Sequence, residues 1–331
     1  MNFKFDLIIM PLKDTIISQM NTLGSDRKPF LFILSFDGNH GLVKPLEDIS
    51  ANEVLFDFNG VTNADINTPT ATVALEANPL SFEAYKEQFD YVHHQLQIGN
   101  SYLTNLTIQT PIALKGTLQE VFYSTKAKYR LCVNEQFVCF SPEIFVQIKA
   151  DKIFSFPMKG TIKADLPNAA EQLLNDEKET AEHYTIVDLI RNDLNIVSKK
   201  VKVNRFRYLD RLETSKGAIL QMSSEICGEL TSDWHQRIGD IFNSLLPAGS
   251  ITGSPKESTV NIIQTAETYE RNYYTGICGI YDGKSIDSAV MIRFIEKQQD
   301  NYVYKSGGGI TSSSEVRKEY EELLQKIYIP K

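Results

Sequence analysis

The stretch YTGICGIYDGKSIDSAVMIRFIEKQQDNYVYKSGGGI, residues 274–310, constrains the fold more than any other part of the chain. Its short apolar runs are broken at Asp282-Gly283 and at QQDN, so it reads as a three-stranded meander. Strands joined by tight turns pair antiparallel, because a parallel pair needs a crossover of a dozen or more residues. Earlier runs agree. FLFILSF is followed by the turn DGNHG, and VLFDFNG leads into the polar VTNADINTPT; YLTNLTIQT, QFVCFSP and KIFSFP read as further strands. Between them, Phe82, Tyr85, Phe89, Val92 and Leu96 recur at helical spacing, with Gly99 as a stop. One long helix is predicted from about Ala169 to Val197, and another over SEVRKEYEELLQKI. Strands and helices intermingle without strict βαβ alternation, which makes the class α+β.

The 331 residues suffice for one large domain or two medium ones, and no repeat or Pro/Ser-rich linker divides them. A net charge of −8 argues against a nucleic-acid or anionic-membrane surface. Cys132, Cys139, Cys227 and Cys278 are scattered, which disfavours zinc and a disulfide framework and fits a reducing cytoplasm. MNFKFDLIIMPLKD has a short apolar run without a small-residue cleavage site, so it reads as a strand or short helix rather than a signal peptide. No apolar run approaches the ~20 residues that span a bilayer.

In FPMKGTIKA, Lys159 stands two residues after Pro157 and directly before Gly160, in what reads as a strand-ending turn. A lysine there either extends into solvent or is held for chemistry. Glu179 and Glu182 are three apart and share a helical face. Like charges at that spacing imply a solvated face or a cation between them. Burial of TIVDLIRNDL would require Asp188, Arg191 and Asp193 to pair internally, a structural role. The C-terminal helix repeats the acidic pattern. Ser312 and Glu315 read as a capping box, Glu315, Glu319 and Glu322 line one face, and Lys326 lies one turn past Glu322. Two such E-x-x-E helices, if they met, would offer carboxylates to one Mg²⁺, with water or substrate oxygens completing its shell.

In LPAGSITGSPKESTVNIIQTAE, Ser254, Pro255 and Glu257 read as an N-cap, a proline at the first helical position and a capping-box partner. The stretch is a well-capped helix or a seat for an anion, and it does not fit a Walker A loop. Alternation in SAVMIRF puts Arg293 on the face of Ala289 and Met291, where it needs an anionic partner. Gly307–Gly309 would bring backbone amides close to a ligand. Arg293 and the glycines together suggest either a carboxylate pocket or an internal salt bridge beside an ordinary turn.

In order along the chain, SPEIF, FPMKGT, EKETAEHYTIVDLIRNDL, PAGSITGSPK, YYTGICGIYDG, AVMIRF, SGGGI and EYEELLQK resemble the chorismate-utilising enzymes. The resemblance covers about residues 80–331, with residues 1–79 matching loosely. It implies a single chorismate-utilising domain over 1–331, with two antiparallel sheets packed face to face, helices outside and the site in the cleft between the sheets. PMKGT resembles the version found in aminodeoxychorismate synthase component I, which implies that Lys159 is a nucleophile. By the same resemblance Glu143 is the acid that helps the ring hydroxyl leave. Arg293, Tyr274, Ser250, Thr161, Lys326 and the backbone of Gly307, Gly308 and Gly309 hold the substrate carboxylates. Glu182 and Glu322 bind Mg²⁺, with Glu179 and Glu319 direct or through water.

The implied reaction takes chorismate and ammonia to 4-amino-4-deoxychorismate, a precursor of 4-aminobenzoate and folate. No G-x-C-x-G elbow is present, so ammonia is expected from a separate glutamine amidotransferase subunit. The chain ends after LLQKIYIPK without the lyase fused to some relatives, so the product is expected to stop at aminodeoxychorismate. Two positions depart from the family pattern. Leu103 stands where ammonia-using relatives have glutamine and water-adding ones lysine, and Gln221 stands where many have histidine. Anthranilate synthase component I, which would eliminate pyruvate, and a chorismate-binding sensor without turnover are the alternatives.

Overall fold

Every strand pairing among the described residues is antiparallel. The computed structural model describes residues 13–65, 67–214 and 217–330, so the expectation for residues 1–12 lies outside the described residues. Two nine-stranded sheets result. The first runs Met158–Lys163, Gly217–Glu229, Lys152–Ser155, Ile144–Lys149, Ile286–Val290, Ile277–Tyr281, Phe30–Leu34 and Gly41–Pro45, with Lys199–Thr214 also paired to Gly217–Glu229. The second runs Gly253–Ser254, Leu103–Lys115, Asn301–Ile310, Phe294–Gln298, Phe137–Ser141, Tyr129–Val133, Val54–Phe58 and Val61–Thr62, with Ala74–Ala77 on Leu103–Lys115.

Side-chain alternation explains how they pack. Leu31 and Ile33 of the first sheet meet Val54, Phe56 and Phe58 of the second in the shared interior. Phe30, Phe32 and Leu34 point the other way, onto Ile16 and Met20 of the helix Lys13–Ser25 and onto Ile238 and Phe242 of Ile238–Leu245. The outer face of the second sheet is covered by Leu118–Ser124 at one end. At the other end Phe82–Gln97, Lys256–Ala266 and Val316–Gln325 pack over Leu106, Ile108 and Ile310. The expected α+β arrangement of two face-to-face antiparallel sheets with helices outside is therefore present. No helix of the described residues is long and apolar enough to cross a membrane.

Several local expectations are corrected. The stretch 169–197 is two helices, Ala169–Asn175 and Glu177–Val197, because the Asp176 side chain accepts the Glu179 amide at 2.8 Å and starts a new helix. Asp188 and Arg191 pair on the surface at 3.4 Å, while buried Asp193 reaches outside its helix to Lys256 at 3.1 Å. The meander has four strands. Its first two belong to one sheet and its last two to the other, and the chain crosses between them at Met291–Arg293, where Arg293 adopts a φ of +56°. Arg293 is thus not on a strand face. Ser312 caps nothing: Glu315 precedes the C-terminal helix, and Ser314 instead donates to Glu319 at 2.8 Å. Ser254 pairs with Leu103 in a short strand, leaving Pro255 ahead of its helix without a side-chain cap. The helix Lys13–Ser25 and the long hairpin Lys199–Thr214/Gly217–Glu229 were not anticipated.

Candidate active site

A cleft of about 230 Å³ lies between strands of the two sheets, lined by Lys159, Glu143, Ser250, Tyr274, Arg293, Lys326 and Gly307–Gly309. Its apolar walls include Ile144, Ile186, Ile190 and Ile292. Nearly all the residues implied for substrate binding and catalysis therefore meet. Thr161 does not: it is exposed, pairs with Gln221 in the sheet and does not line the cleft.

Lys159 belongs to the strand Met158–Lys163 rather than to a turn beyond a strand. The register shifts between Met158 and Thr161, so Lys159 and Gly160 form a bulge on Gly217–Glu229. A bulge re-aims a side chain, and here it turns the amine into the cleft. Gly160, at φ +79°, makes the bulge possible, and a Cβ there would stand 3.0 Å from Glu179 Oε2.

Lys159 Nζ lies 3.0 Å from Glu182 Oε2. Burial works to lower its pKa, but Glu182, Glu322 and Glu179 outweigh burial and hold the ammonium above its ordinary value. The two E-x-x-E helices thus converge on this lysine. Lys326 sits 2.7 Å from Glu322, on the face the spacing predicted, and donates to the Gly307 carbonyl at 2.8 Å. Glu319 is buried and accepts the Ser314 hydroxyl.

Also lining the cleft, Glu143 accepts the Ser250 hydroxyl at 2.7 Å. Burial raises its pKa, and the Ser250 bond with Lys159 and Lys326 only partly offsets this. A carboxyl whose pKa burial raises gives up its proton nearer neutral pH than an ordinary one, which suits a proton donor. Arg293 donates to the Lys326 carbonyl at 3.1 Å and stacks over Tyr328, so the C-terminal segment braces it. The glycines pair with Leu103–Lys115. A Cβ on Gly309 would lie 3.1 Å from Leu103 and 3.7 Å from Lys159 Nζ. Leu103 itself is buried and, with Lys159, lines both the cleft and an adjoining outer pocket that Glu182 also lines.

The residues present suit a divalent cation in donor chemistry, because carboxylate oxygens are what Mg²⁺ takes. Among the described residues, however, no three acidic, imidazole or thiol groups are gathered closely enough to hold one. Two of the glutamates instead lie on ammonium groups, Glu182 on Lys159 and Glu322 on Lys326.

Three features in or behind the cleft wall escaped the sequence reading. Lys305 is fully buried on the cleft wall, 3.0 Å from Glu296 and 3.2 Å from the Arg271 carbonyl, and burial lowers its pKa against the pull of Glu296. Its alternation with Val303 was the available signal. Asn105 lines the cleft, and its buried side-chain amide oxygen has no hydrogen-bond partner. His183 is buried behind Glu182, 2.7 Å from Ser224 Oγ, and burial with Arg207 and Lys159 pushes its pKa down to about 4. Its spacing from Ile186 and Ile190 marks the buried face of that helix.

The chain is 50% identical over 95% of its length, and 96% of the relative's, to the "Uncharacterized PabA-like protein" of Haemophilus influenzae. It is 32% identical to aminodeoxychorismate synthase component 1 of Klebsiella aerogenes, over 78% of this chain and 59% of that one. It is 30% identical to anthranilate synthase component 1 of a Synechocystis strain, over 76% of this chain and 54% of that one. The menaquinone-specific isochorismate synthase of Escherichia coli shares the fold, with a TM-score of 0.72 at 14% identity over 96% of this chain and 82% of that one. The model of the chorismate binding enzymes matches residues 40–330, so the match begins well before residue 80. With that match spanning most of its length, this chain belongs to the chorismate binding enzyme family.

Proposed function

We propose that this protein converts chorismate and ammonia to 4-amino-4-deoxychorismate and water, in keeping with the name aminodeoxychorismate synthase component 1 of its Klebsiella aerogenes relative. The observation that carries the reading is the Lys159 amine, turned into the cleft on a bulge and facing the raised carboxyl of Glu143. Glu143 would give its proton to the departing C4 hydroxyl, which leaves as water. Lys159, as the free amine, would bond to C2 while the ring double bonds shift and the C4–O bond breaks. Ammonia would then bond to C4, the double bonds would shift back, and the C2–N bond would break to release the amine. The proton lost by the added nitrogen returns to Glu143 and resets the acid.

Arg293, Tyr274, Ser250, Lys326 and the Gly307–Gly309 backbone would bind the substrate carboxylates. Glu182 and Glu322 would leave their ammonium partners for Mg²⁺, with Glu179 and Glu319 direct or through water, and the metal would neutralise a substrate carboxylate that these glutamates otherwise repel. A glutamine amidotransferase subunit would supply ammonia. In support, a close relative is named PabA-like, and all four cysteines here are buried, unlike a nucleophile that must meet glutamine. The cytoplasm would be its compartment.

The similar identity to an anthranilate synthase component 1 keeps that reaction as a second reading. The test is the product formed from chorismate, Mg²⁺ and concentrated ammonium by the purified chain, identified by mass. Aminodeoxychorismate supports the proposal. Anthranilate or isochorismate overturns it within the family, and untouched chorismate, even with an amidotransferase supplied, favours a binding protein.

A further inference from the structure

Asp193 takes no part in the reaction proposed above and does not line the cleft, yet it is buried at 7% exposure. It projects from Glu177–Val197 toward the connection between Ile238–Leu245 and Lys256–Ala266. Two groups hold it, Gly249 in that connection and Lys256 at the start of the second helix. Lys256 Nζ lies 3.1 Å from Oδ1 and also donates to the Leu245 carbonyl at 3.0 Å. The Gly249 backbone amide lies against the same carboxylate and favours its ionised form. The contact is close enough that a Cβ on Gly249 would stand 2.6 Å from Asp193 Oδ2, so a side chain there would displace the carboxylate.

The next residue is Ser250, whose hydroxyl donates to Glu143 Oε1 at 2.7 Å. Gly249–Ile251 is a single short turn closed by Ile251 to Ala248 and Thr252 to Gly249. Anchoring Gly249 therefore fixes where the Ser250 hydroxyl can reach. The charged groups facing the Glu143 carboxyl are Lys159 and Lys326, and its own amide donates to Ser141.

We propose that Asp193 is a positioning residue, holding the Ser250 hydroxyl on the Glu143 carboxyl through the Gly249 amide. Lys256 supplies the countercharge that lets a carboxylate serve as this buried anchor. The inference deepens the reading of Glu143 as the acid and rests on it. A hydroxyl that donates to a carboxylate stabilises the ionised form, so releasing Ser250 raises the pH at which Glu143 ionises.

The test is the titration of the Glu143 carboxyl, followed by ¹³C NMR on chain labelled at glutamate and assigned by the signal lost in Glu143→Gln. Ser250→Ala should move the titration to higher pH. The pair Asp193→Ala with Lys256→Met, which leaves no buried charge unpaired, should move it the same way. Asp193→Asn, which keeps an oxygen for the Gly249 amide, should leave it in place. In turnover the Asp193→Ala/Lys256→Met pair should lose roughly tenfold to a hundredfold in kcat, the pattern of a misplaced reacting group, with a rise in KM from the displaced Ser250. Three outcomes overturn the inference: Ser250→Ala leaves Glu143 unmoved; the double variant leaves it unmoved; or Asp193→Asn moves it as far as the double variant. The titration needs no turnover, so a wild-type chain that ignores chorismate refutes the proposed reaction without deciding this point.

Discussion

Lys159 Nζ sits 3.0 Å from Glu182 Oε2, at the point where the acidic faces of two helices far apart in sequence converge. The ion pair has a consequence for a nucleophile. Protonated, the amine has no lone pair to offer, and the surrounding glutamates extend protonation above the ordinary lysine range. Mg²⁺ taking Glu182 would remove that pull and leave burial to lower the amine. The rate of amine labelling at Lys159, followed against pH by mass spectrometry, should therefore shift to lower pH when Mg²⁺ is added. An unshifted profile would separate the metal from the lysine. Lys159→Ala should reduce turnover by on the order of 10³ or more, the scale of a group acting in the transition state.

Glu143 should carry a stability cost of its own. Its folded pKa is raised, chiefly by burial, so the folded chain binds the proton more tightly than the unfolded one. Its contribution is fully present below the ordinary carboxylate range and is lost as pH rises through the raised value. Glu143→Gln should accordingly unfold at a higher temperature than wild type at pH 7, with the difference shrinking toward pH 4. Equal differences at both pH values would contradict the raised ionisation. In turnover the same variant should lose about 10²-fold or more, as removal of a general acid does.

The three consecutive glycines should tolerate alanine unequally. A Cβ at Gly307 would meet the Leu106 carbonyl at 2.6 Å, so Gly307→Ala should disrupt strand pairing and lower the melting temperature. At Gly308 the nearest atoms are Glu319 Oε2 and Lys326 Nζ at 3.6 Å, and the fold should accept the change. Gly309→Ala points a methyl group at Leu103 and toward Lys159, and should raise KM for chorismate at least several-fold. Melting temperature and KM measured on all three variants test the ordering.

Beside the cleft, Arg271 and Glu267 form a buried pair at 2.7 Å with both side chains 2% exposed. Glu267 also accepts from the Thr107 amide and hydroxyl. Breaking such a pair from one side leaves a buried charge without its partner, which costs about 3–5 kcal/mol. Glu267→Gln should lose stability on that scale in denaturant unfolding. A change within experimental error would mean that water reaches Arg271.

What the sequence determined by itself was local or carried by motif. Antiparallel pairing followed from tight turns such as Asp282-Gly283, where the Asp282 carboxylate accepts the Lys284 and Ser285 amides. The helix Phe82–Gln97 followed from five apolar residues at helical spacing, and the i,i+4 contact of Glu322 with Lys326 from the same geometry. The ordered motifs identified the family. Tertiary structure decided the rest. The apolar run through Arg293 reads as one strand, but the chain turns there from one sheet into the other. Lys159 reads as a residue in a turn until its register against Gly217–Glu229 shows the bulge. Ser250 meets Glu143 across 107 residues, and Lys305 is buried because Glu296 and the Arg271 carbonyl receive its ammonium. Periodicity records which face of an element is apolar, over one or two turns of chain. Which charged group meets which is set by how the sheets and helices pack, and side chains that meet this way can be separated by any length of sequence.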